Sequence, residues 1–401
     1  MEFIVSLSRA GELEERSVGQ RAKDLAKLKE KGFDILPCFV VTNEAFEHFI
    51  AKNLLQGRVA MVLASVDPPE EKYRKIREAF LRSTITDDMM RELTDAYEGL
   101  GLDADASADA LITTAKAAHV NLVLSPAYTA PADSTEGFLL NVKGLEGLAV
   151  ALKECWACLF TTDAQGHRER VGVPNKSINA GVIIQQMAKP VVSAEAWSAA
   201  PGATDDLIVR AYFGALDVTG VVEKDEWRLN REYLKPSSQS IAVQTRMLAR
   251  DEEDRLEEAP IGERGREQKA NDKEMLELAR LAKKAAIILE RHVKLYASVV
   301  DERVVTVCAS RLHVTPGSFK LDQYREEERI EEDGNDHDEQ GLSPEAEPRP
   351  SFSAPPREES DDDFILPREP TESGEEPKKL KTAAEEPDSI FTSSPETDDE
   401  S

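Results

Sequence analysis

A segment near the amino terminus, residues 17–46, restricts the fold of this chain more than any other part of the sequence. Apolar side chains recur in it with helical spacing at Val18, Ala22, Leu25 and Leu28. A Gly-Phe turn and a proline follow, and the apolar residues 39–42 then predict a strand. Asn43 is a suitable N-cap for another helix over 44–55. The segment therefore predicts a helix, a strand and a helix in close succession.

Helical and strand patterns are unevenly distributed over the rest of the chain. Further helices are predicted over 69–82, 87–97, 144–160 and 272–292, the last of them after the capping-box pair Asn271 and Glu274. Strands are predicted over 110–114, 121–124, 138–142, 178–187, 207–212, 226–233, 240–248, 295–300 and 304–308. Helices dominate the early part and strands the later part, which predicts an α+β fold with two lobes.

Charge divides the chain near residue 320. Residues 322–401 contain 28 acidic and 8 basic side chains, so this segment carries −20 of the total −27. It also holds ten of the 21 prolines. Such a composition cannot bury enough apolar surface to offset the entropy of ordering. We predict a folded domain over 1–318 and a disordered acidic tail, rich in Pro, Glu and Ser, over 319–401.

Composition also argues against several classes of protein. The net acidity disfavours nucleic acid as a partner, because phosphate binding depends on Lys and Arg. No uncharged apolar run is long enough for a membrane span, and the first residues lack the pattern of a secretion signal. Four cysteines do not make a disulfide framework in this length. We expect a cytoplasmic protein without membrane or nucleic-acid partners.

The segment 17–46 resembles the opening of the ATP-binding domain of phosphoenolpyruvate synthase and pyruvate phosphate dikinase. That pattern is V-G-G-K-x-x-x-L followed by G-x-x-V-P-x-G-F-V-V-T. The shared positions here are Val18, Gly19, Leu25, Gly32, Pro37, Phe39, Val40, Val41 and Thr42. Arg21 stands where that family has its nucleotide-contacting lysine, while Gln20 and Cys38 replace glycines. Similar matches follow in the same order at 138–160, 178–187, 223–227, 270–292 and 305–311, so the resemblance covers about 15–316.

The resemblance implies an ATP-grasp-like domain with two lobes and a nucleotide between them. In that family, Lys and Arg hold the phosphates, and a Glu and a Gln hold magnesium. The candidate nucleotide contacts are Arg21, Arg168, Gln185, Met187 and Arg311. Ordinary roles remain open for them: Arg21 as a surface residue of a helix, Arg168 as an exposed ion-pairing residue, and the two β-strand residues as core packing.

Several charged positions of the family pattern are altered. The R-S-S-A-T-A-E-D stretch falls within 110–120, where Thr113 or a neighbour replaces the arginine and Lys116 is the only nearby cation. The family segment I-E-A-S-W-G-L-G-E falls on residues 209–217, where Arg210 or Ile208 replaces its glutamate. Asp217 is a carboxylate that could compensate. The site therefore departs from the family in the groups that bind phosphate.

The magnesium ligands of the family are also replaced. Residues 295–298 stand where its carboxylate belongs, and Ala309 or Cys308 replaces its glutamine. None of the six histidines has the Gly-Gly-x-x-x-His context of the family's phosphoryl relay. We therefore predict no catalytic residue and no metal ligand, with ATP as a weakly bound cofactor and magnesium not expected.

Two further motifs each allow two interpretations. The Cys155-Trp156-Ala157-Cys158 sequence looks like a thioredoxin redox pair, but it falls late in a predicted helix, where a packing role is favoured. In the tail, the apolar clusters within 361–366 and 388–391 are either docking motifs or parts of a spacer. An acidic tail suits a basic protein partner.

The sequence thus predicts a degenerate, stand-alone member of this family that acts as a non-catalytic nucleotide-binding or protein-interaction paralogue. One alternative is an ATP-dependent phosphotransferase that phosphorylates a histidine domain on a separate chain. A second alternative is a scaffold that uses the fold without nucleotide. Whether the chain is an enzyme stays open at this point.

Overall fold

The computed structural model describes residues 2–100, 118–127, 137–174, 178–187, 189–201 and 205–312. The predicted strand over 110–114, the candidates Thr113 and Lys116, and the predicted tail all lie outside these residues. No helix within the described ranges has the length and apolar character that a membrane span needs.

The described residues contain ten α-helices, and all but the last of them end before Gly172. They are α1 (Leu7–Glu12), α2 (Glu15–Val18), α3 (Gln20–Glu30), α4 (Asn43–Lys52), α5 (Leu55–Ala64), α6 (Pro69–Leu81), α7 (Asp87–Leu100), α8 (Gly144–Ala157), α9 (Thr162–Val171) and α10 (Asp272–Leu289). Short 3-10 helices follow α8 at Cys158–Phe160 and precede α10 at Gly262–Arg266. The predicted capping box is confirmed, because Asn271 and Glu274 bond to each other's backbone N–H at the start of α10.

The strands form two antiparallel sheets and a separate hairpin. They are β1 (Ile4–Ser6), β2 (Cys38–Val41), β3 (His119–Pro126), β4 (Phe138–Lys143), β5 (Ala180–Gln186), β6 (Val192–Trp197), β7 (Asp206–Phe213), β8 (Asp225–Asn230), β9 (Pro236–Ser240), β10 (Arg246–Arg250), β11 (Leu256–Pro260), β12 (Val293–Val300) and β13 (Arg303–Arg311). The five-stranded sheet has the order β1-β2-β5-β3-β4, and the six-stranded sheet has the order β13-β12-β6-β7-β8-β9. Strands β10 and β11 pair only with each other.

Each sheet is the centre of a lobe. In the five-stranded lobe, one sheet face packs on α4 to α8 through a core that includes Trp156, Phe46 and Phe80. In the six-stranded lobe, apolar residues of β6, β7 and β12 pack on α10. A single core cluster also connects the lobes, because α3 packs against β3 and β13, and the Phe138 and Tyr296 rings lie 5.4 Å apart. The predicted mixed fold with two sheet-based lobes therefore agrees with the structure.

Three local predictions were wrong. The first helix is interrupted at Gly19, whose φ of 78° and close packing against the Ser125 carbonyl separate α2 from α3. Asn43 is the first residue of α4 rather than its N-cap, and its side chain accepts a bond from the Ala180 N–H at 3.0 Å. The strand predicted over 240–248 is instead the end of β9, a loop and most of β10.

The last of these corrections has a tertiary cause. The Gln244 side chain accepts from the Phe213 N–H at 2.8 Å and donates to the Phe213 carbonyl at 3.0 Å. This contact holds the loop between β9 and β10 against the end of β7, so the segment cannot continue as one strand. The sequence patterns also missed β1, β6 and β11.

Candidate functional site

One face of the six-stranded sheet meets the five-stranded lobe, and the junction between them is here called the cleft, with that sheet face as its floor. The other face of that sheet carries Val293, Leu295 and Ala297, which pack towards α10. Alternation along the strands places polar side chains on the cleft face. These are Ser193, Glu195, Arg210, Tyr212, Glu226, Lys294, Tyr296 and Ser298. The contact between Tyr296 and Phe138 of β4 shows that this face is turned to the five-stranded lobe.

A network of ion pairs, the cleft ion cluster, lies on this floor and consists of Glu195, Lys294, Lys224 and Asp217. Glu195 accepts from Lys294 at 3.1 Å and from Lys224 at 2.8 Å, and Lys224 lies 3.3 Å from Asp217. The side chains of Glu195 and Lys294 are each only 5% exposed. Two carboxylates and two ammonium groups balance, so the cluster has no net charge to offer a ligand.

The directions of the pKa shifts on the cleft floor agree with this pairing of charges. Burial alone would raise the pKa of Glu195, but Lys294 and Lys224 outweigh burial and lower it. The pKa of Tyr212 is raised well above its ordinary value by burial and by the neighbouring Glu195. At neutral pH the Glu195 carboxylate is therefore ionised and paired, while the Tyr212 hydroxyl keeps its proton.

Asp217, the carboxylate proposed to compensate for a missing acid, is used within its own loop. Its Oδ1 accepts from the Thr219 hydroxyl at 2.8 Å and from the Gly220 N–H at 2.8 Å, and its Oδ2 accepts from the Val222 N–H at 3.1 Å. Burial would raise the pKa of Asp217, but these bonds and Lys224 lower it. The carboxylate shapes a turn and has little capacity left for a metal ion.

Arg21 is buried, contrary to the surface alternative, with 4% of its surface exposed. Its guanidinium donates to the Leu124 carbonyl at 2.8 Å and lies 5.2 Å from the centre of the Phe138 ring. The first turn of α3 is also occupied, because the Ala22 N–H donates to the Ser125 hydroxyl at 2.9 Å. The N-terminus of α3, where an anion would be favoured, is therefore capped by a side chain of β3.

Gln185 and Met187 lie where β5 approaches the other lobe. They line a cavity of about 20 Å³ together with Asn121 and Ser298. That volume suits a single water molecule. Within the described residues, the Gln185 Nε2 is buried without a hydrogen-bond partner. The Met187 carbonyl accepts from Arg250 at 3.3 Å.

The structure does not bring the remaining candidates to the cleft. Arg168 is fully buried rather than exposed, and it donates to the Leu159 carbonyl and lies 5.9 Å from the Phe160 ring in the helical layer. Arg311 is exposed at the end of β13, opposite Val293, and so shares the α10 side of the sheet. Of the predicted contacts, Arg21, Gln185 and Met187 border the cleft.

The register of β12 and β13 shows where the residues predicted to replace the magnesium ligands lie. Leu295 lies opposite Ala309 on the α10 face, whereas Tyr296 lies opposite Cys308 on the cleft face. None of these side chains is a carboxylate. Among the described residues, no three His, Cys, Asp or Glu side chains stand together in a way that could hold a metal ion.

Sequence reasoning missed the cleft ion cluster. Glu195 is the only charged residue of the strand Val192–Trp197, and Lys294 is the only charged residue of the strand Val293–Val300. Single charges of opposite sign in two buried strands were the available signal, because a charge is seldom buried without a partner. The sequence could not show that β6 and β12 are neighbours.

The Cys-x-x-Cys motif agrees with the packing interpretation. Cys155 is fully buried in the last turn of α8, where burial raises its pKa well above the ordinary value. A redox cysteine needs the opposite shift, which a helix start or a nearby cation provides. Cys158 lies in the following 3-10 helix.

Comparison with known proteins gives one family and several distant relatives. The family model described as pyruvate phosphate dikinase, AMP/ATP-binding domain, matches residues 15–301. A probable phosphoenolpyruvate synthase of Methanocaldococcus jannaschii is 23% identical over 302 residues, which is 73% of this chain and 25% of that protein. A rifampicin phosphotransferase of a Streptomyces species is 28% identical over 275 residues, 67% of this chain and 31% of that protein. The chain thus spans between a quarter and a third of these relatives.

Proposed function

Because this chain belongs to the family of the pyruvate phosphate dikinase AMP/ATP-binding domain, we propose that it is a non-catalytic member whose cleft lysines are paired with its own carboxylates. The observation that carries the proposal is the ion pair of Lys294 with Glu195 on the cleft floor. Phosphoryl transfer concentrates negative charge, which cations and magnesium must meet. Here the two ammonium groups of the cleft are already neutralised.

Weak nucleotide binding, nearly independent of magnesium, is part of this proposal. The ATP-grasp arrangement places a nucleotide between the lobes, but the cavity beside Gln185 and Met187 is only about 20 Å³. An adenine ring would not fit in that cavity. A larger opening of about 720 Å³ lies between β4 and the hairpin, beside Phe138, Val218 and Leu248, but its described lining residues include no cation to meet a phosphate. A site with a Kd of about 1 mM would stabilise the protein by only about 1 kcal/mol at roughly 5 mM ATP.

A role in regulation or protein interaction fits such a member better than turnover. We propose a folded domain over 1–318 and an acidic tail over 319–401, and a tail with a charge of −20 suits a basic protein partner in the cytoplasm. The second alternative, a scaffold that uses the fold without nucleotide, differs from this proposal only in the absence of nucleotide binding.

Isothermal calorimetry and labelled ATP would test the proposal. We expect binding no tighter than the high micromolar range, little change on adding magnesium, and no transfer of label to a separately supplied histidine domain of a relative. Magnesium-dependent binding below 1 µM would overturn it, as would transfer of the β-phosphoryl group.

The alternative phosphotransferase would be recognised by a matched pair of variants. Transfer that Arg311→Ala abolishes and Arg303→Ala leaves intact would assign the chemistry to this chain. Arg303 is a suitable control because, like Arg311, it is an exposed arginine of β13 that lies outside the cleft, and it pairs with Asp34 at 3.3 Å. Loss of transfer in Arg311→Ala alone would assign a role in the chemistry to Arg311 despite that position.

A further inference from the structure

The hairpin of β10 and β11 belongs to the six-stranded lobe. The Ala215 N–H donates to the Leu248 carbonyl at 2.8 Å, and the Gln244 side chain bonds to Phe213 at the base of the hairpin. Gly214 permits this approach, because a side chain there would lie 2.6 Å from the same Leu248 oxygen. The base of the hairpin is therefore fixed to β7 and the residues after it.

The tip of this hairpin reaches the five-stranded lobe. Asp254 accepts from the Lys143 ammonium at 2.8 Å, and its backbone carbonyl accepts from the Asn141 side chain at 2.8 Å. His119 Nε2 lies 3.9 Å from the same carboxylate. The Asp251 side chain accepts the Glu253 and Arg255 N–H groups, which keeps the tip in shape. One carboxylate thus docks among basic side chains of β3 and β4.

A second contact lies where β10 passes the end of β5. Arg250 donates to the Met187 carbonyl at 3.3 Å and is half-buried. In the described part of the chain no carboxylate forms an ion pair with this guanidinium, and its Nε is buried without a partner. Burial lowers the pKa of Arg250, whereas Asp254 partly restores it. The arginine is therefore held at the lobe junction by its bond to a backbone carbonyl, and the tip carboxylate attracts it without forming an ion pair.

We propose that the hairpin β10–β11 is an intramolecular clasp that holds the two lobes together and controls access to the cleft between them. Its base is in one lobe, and the contacts that Asp254 makes with Lys143 and Asn141 are with the other. Separation of the lobes must break the Asp254 contacts and the Arg250 contact together. The proposal concerns the contact between lobes and does not depend on whether the cleft binds a nucleotide.

The clasp is suited to open as well as to close. Lys143 and Asp254 are 42% and 49% exposed, and exposed ion pairs are weak. Loss of this pair alone should change the ratio of open to closed molecules by about two- to fivefold. Reversal of the Asp254 charge should act more strongly, since it places a fourth basic group beside His119, Lys143 and Arg250. High salt screens these charges and should also raise the ratio of open to closed molecules.

Pulsed electron paramagnetic resonance on the full chain would test this proposal. Spin labels at Lys52→Cys in α4 and Ser238→Cys in β9 report the separation of the lobes, because both positions are exposed and lie in different lobes. The background carries Cys38→Ser and Cys158→Ser so that these half-buried thiols are not labelled. We expect Asp254→Lys and Lys143→Asp each to lengthen and broaden the distance distribution.

Two controls make the result specific. Combining Asp254→Lys with Lys143→Asp restores the ion pair and should return the distribution towards the original. Glu258→Gln breaks the pair of Glu258 with Arg246, which are 2.9 Å apart in the same hairpin but away from the other lobe. This variant should leave the distance distribution unchanged. An unchanged distribution in Asp254→Lys would overturn the clasp, as would a widening that the double variant does not reverse.

Discussion

Lys294 of β12 lies 3.1 Å from Glu195 of β6, and each side chain is 5% exposed. The pair lies on the cleft floor, on the face of the six-stranded sheet that is turned to the five-stranded lobe. Its charges are therefore neutralised by the protein itself, and Lys224 extends the pairing to Asp217. Because a buried charge without a partner is costly, this arrangement makes the closed cleft stable without a ligand.

Glu195→Ala should destabilise the protein by about 3 kcal/mol or more, because it leaves Lys294 and Lys224 without their shared carboxylate. Urea unfolding followed by circular dichroism measures this change. The matched control is Glu258→Ala, which removes an exposed pair with Arg246 and should cost less than about 1 kcal/mol. Equal effects of the two variants would contradict the buried role of Glu195.

Stability should fall at acidic pH, and Glu195 should account for part of the loss. The pKa of Glu195 is lowered in the folded protein, so its stabilisation is present above the unfolded pKa of about 4.3 and is lost as the pH falls through the folded pKa. Glu226 and Asp217 shift in the same direction. Asp24 shifts oppositely, because its burial outweighs Arg291 and raises its pKa.

Unfolding free energies measured between about pH 5 and pH 2 would check this dependence. The Glu195→Gln variant should show a shallower decline than the unmodified protein, since it has one fewer carboxylate to protonate. Identical slopes would indicate that Glu195 titrates alike in the folded and unfolded chains.

Gly19→Ala should destabilise the fold by at least about 2 kcal/mol. Gly19 has a φ of 78°, and a Cβ there would overlap the Ser125 carbonyl. Gly57→Ala in α5 is the control, because nothing lies within 4 Å of a Cβ at that position. The control should be neutral or stabilise the helix by up to about 1 kcal/mol. Thermal unfolding of both variants measures the difference.

Cys155 and Cys308 are fully buried and should react with thiol reagents only after unfolding, whereas the half-buried Cys38 should react slowly in the folded protein. Burial raises the pKa of Cys38 to about 12 and of Cys308 to about 11, and that of Cys155 well above its usual range. At pH 8 the thiolate fraction of these groups should be at least on the order of a hundredfold below that of a free cysteine. Ellman's reagent, with and without urea, counts the reactive thiols. Rapid reaction of Cys155 in the folded protein would contradict its packing role and support the redox interpretation.

Limited proteolysis should yield one resistant fragment that ends between about residues 317 and 340, since the composition changes there to acidic residues and proline. Mass spectrometry of the fragments gives the boundary. Early cleavage within 140–300 with an intact carboxyl-terminal segment would contradict the predicted domain division.

Local structure was predictable wherever short-range chemistry controlled it. The capping box at Asn271 and Glu274 starts α10 as expected, and the apolar runs became β2, β5, β7 and β12. Predictions were wrong where distant residues intervened: Gly19 is forced into its conformation by Ser125, and the loop after β9 is held by Gln244 against Phe213. A sequence window contains only one partner of such contacts.

Residue identity alone determined the family and the mixed architecture, because these depend on the kind and order of side chains. The tertiary structure alone decided how the remaining charges are used. It buried Arg21 under Phe138 and placed Arg168 and Arg311 away from the cleft. It also paired Lys294 with Glu195, which is far away along the chain. Antiparallel pairing of β6 with β12 creates that contact, and strand order is set by the packing of whole sheets rather than by local sequence.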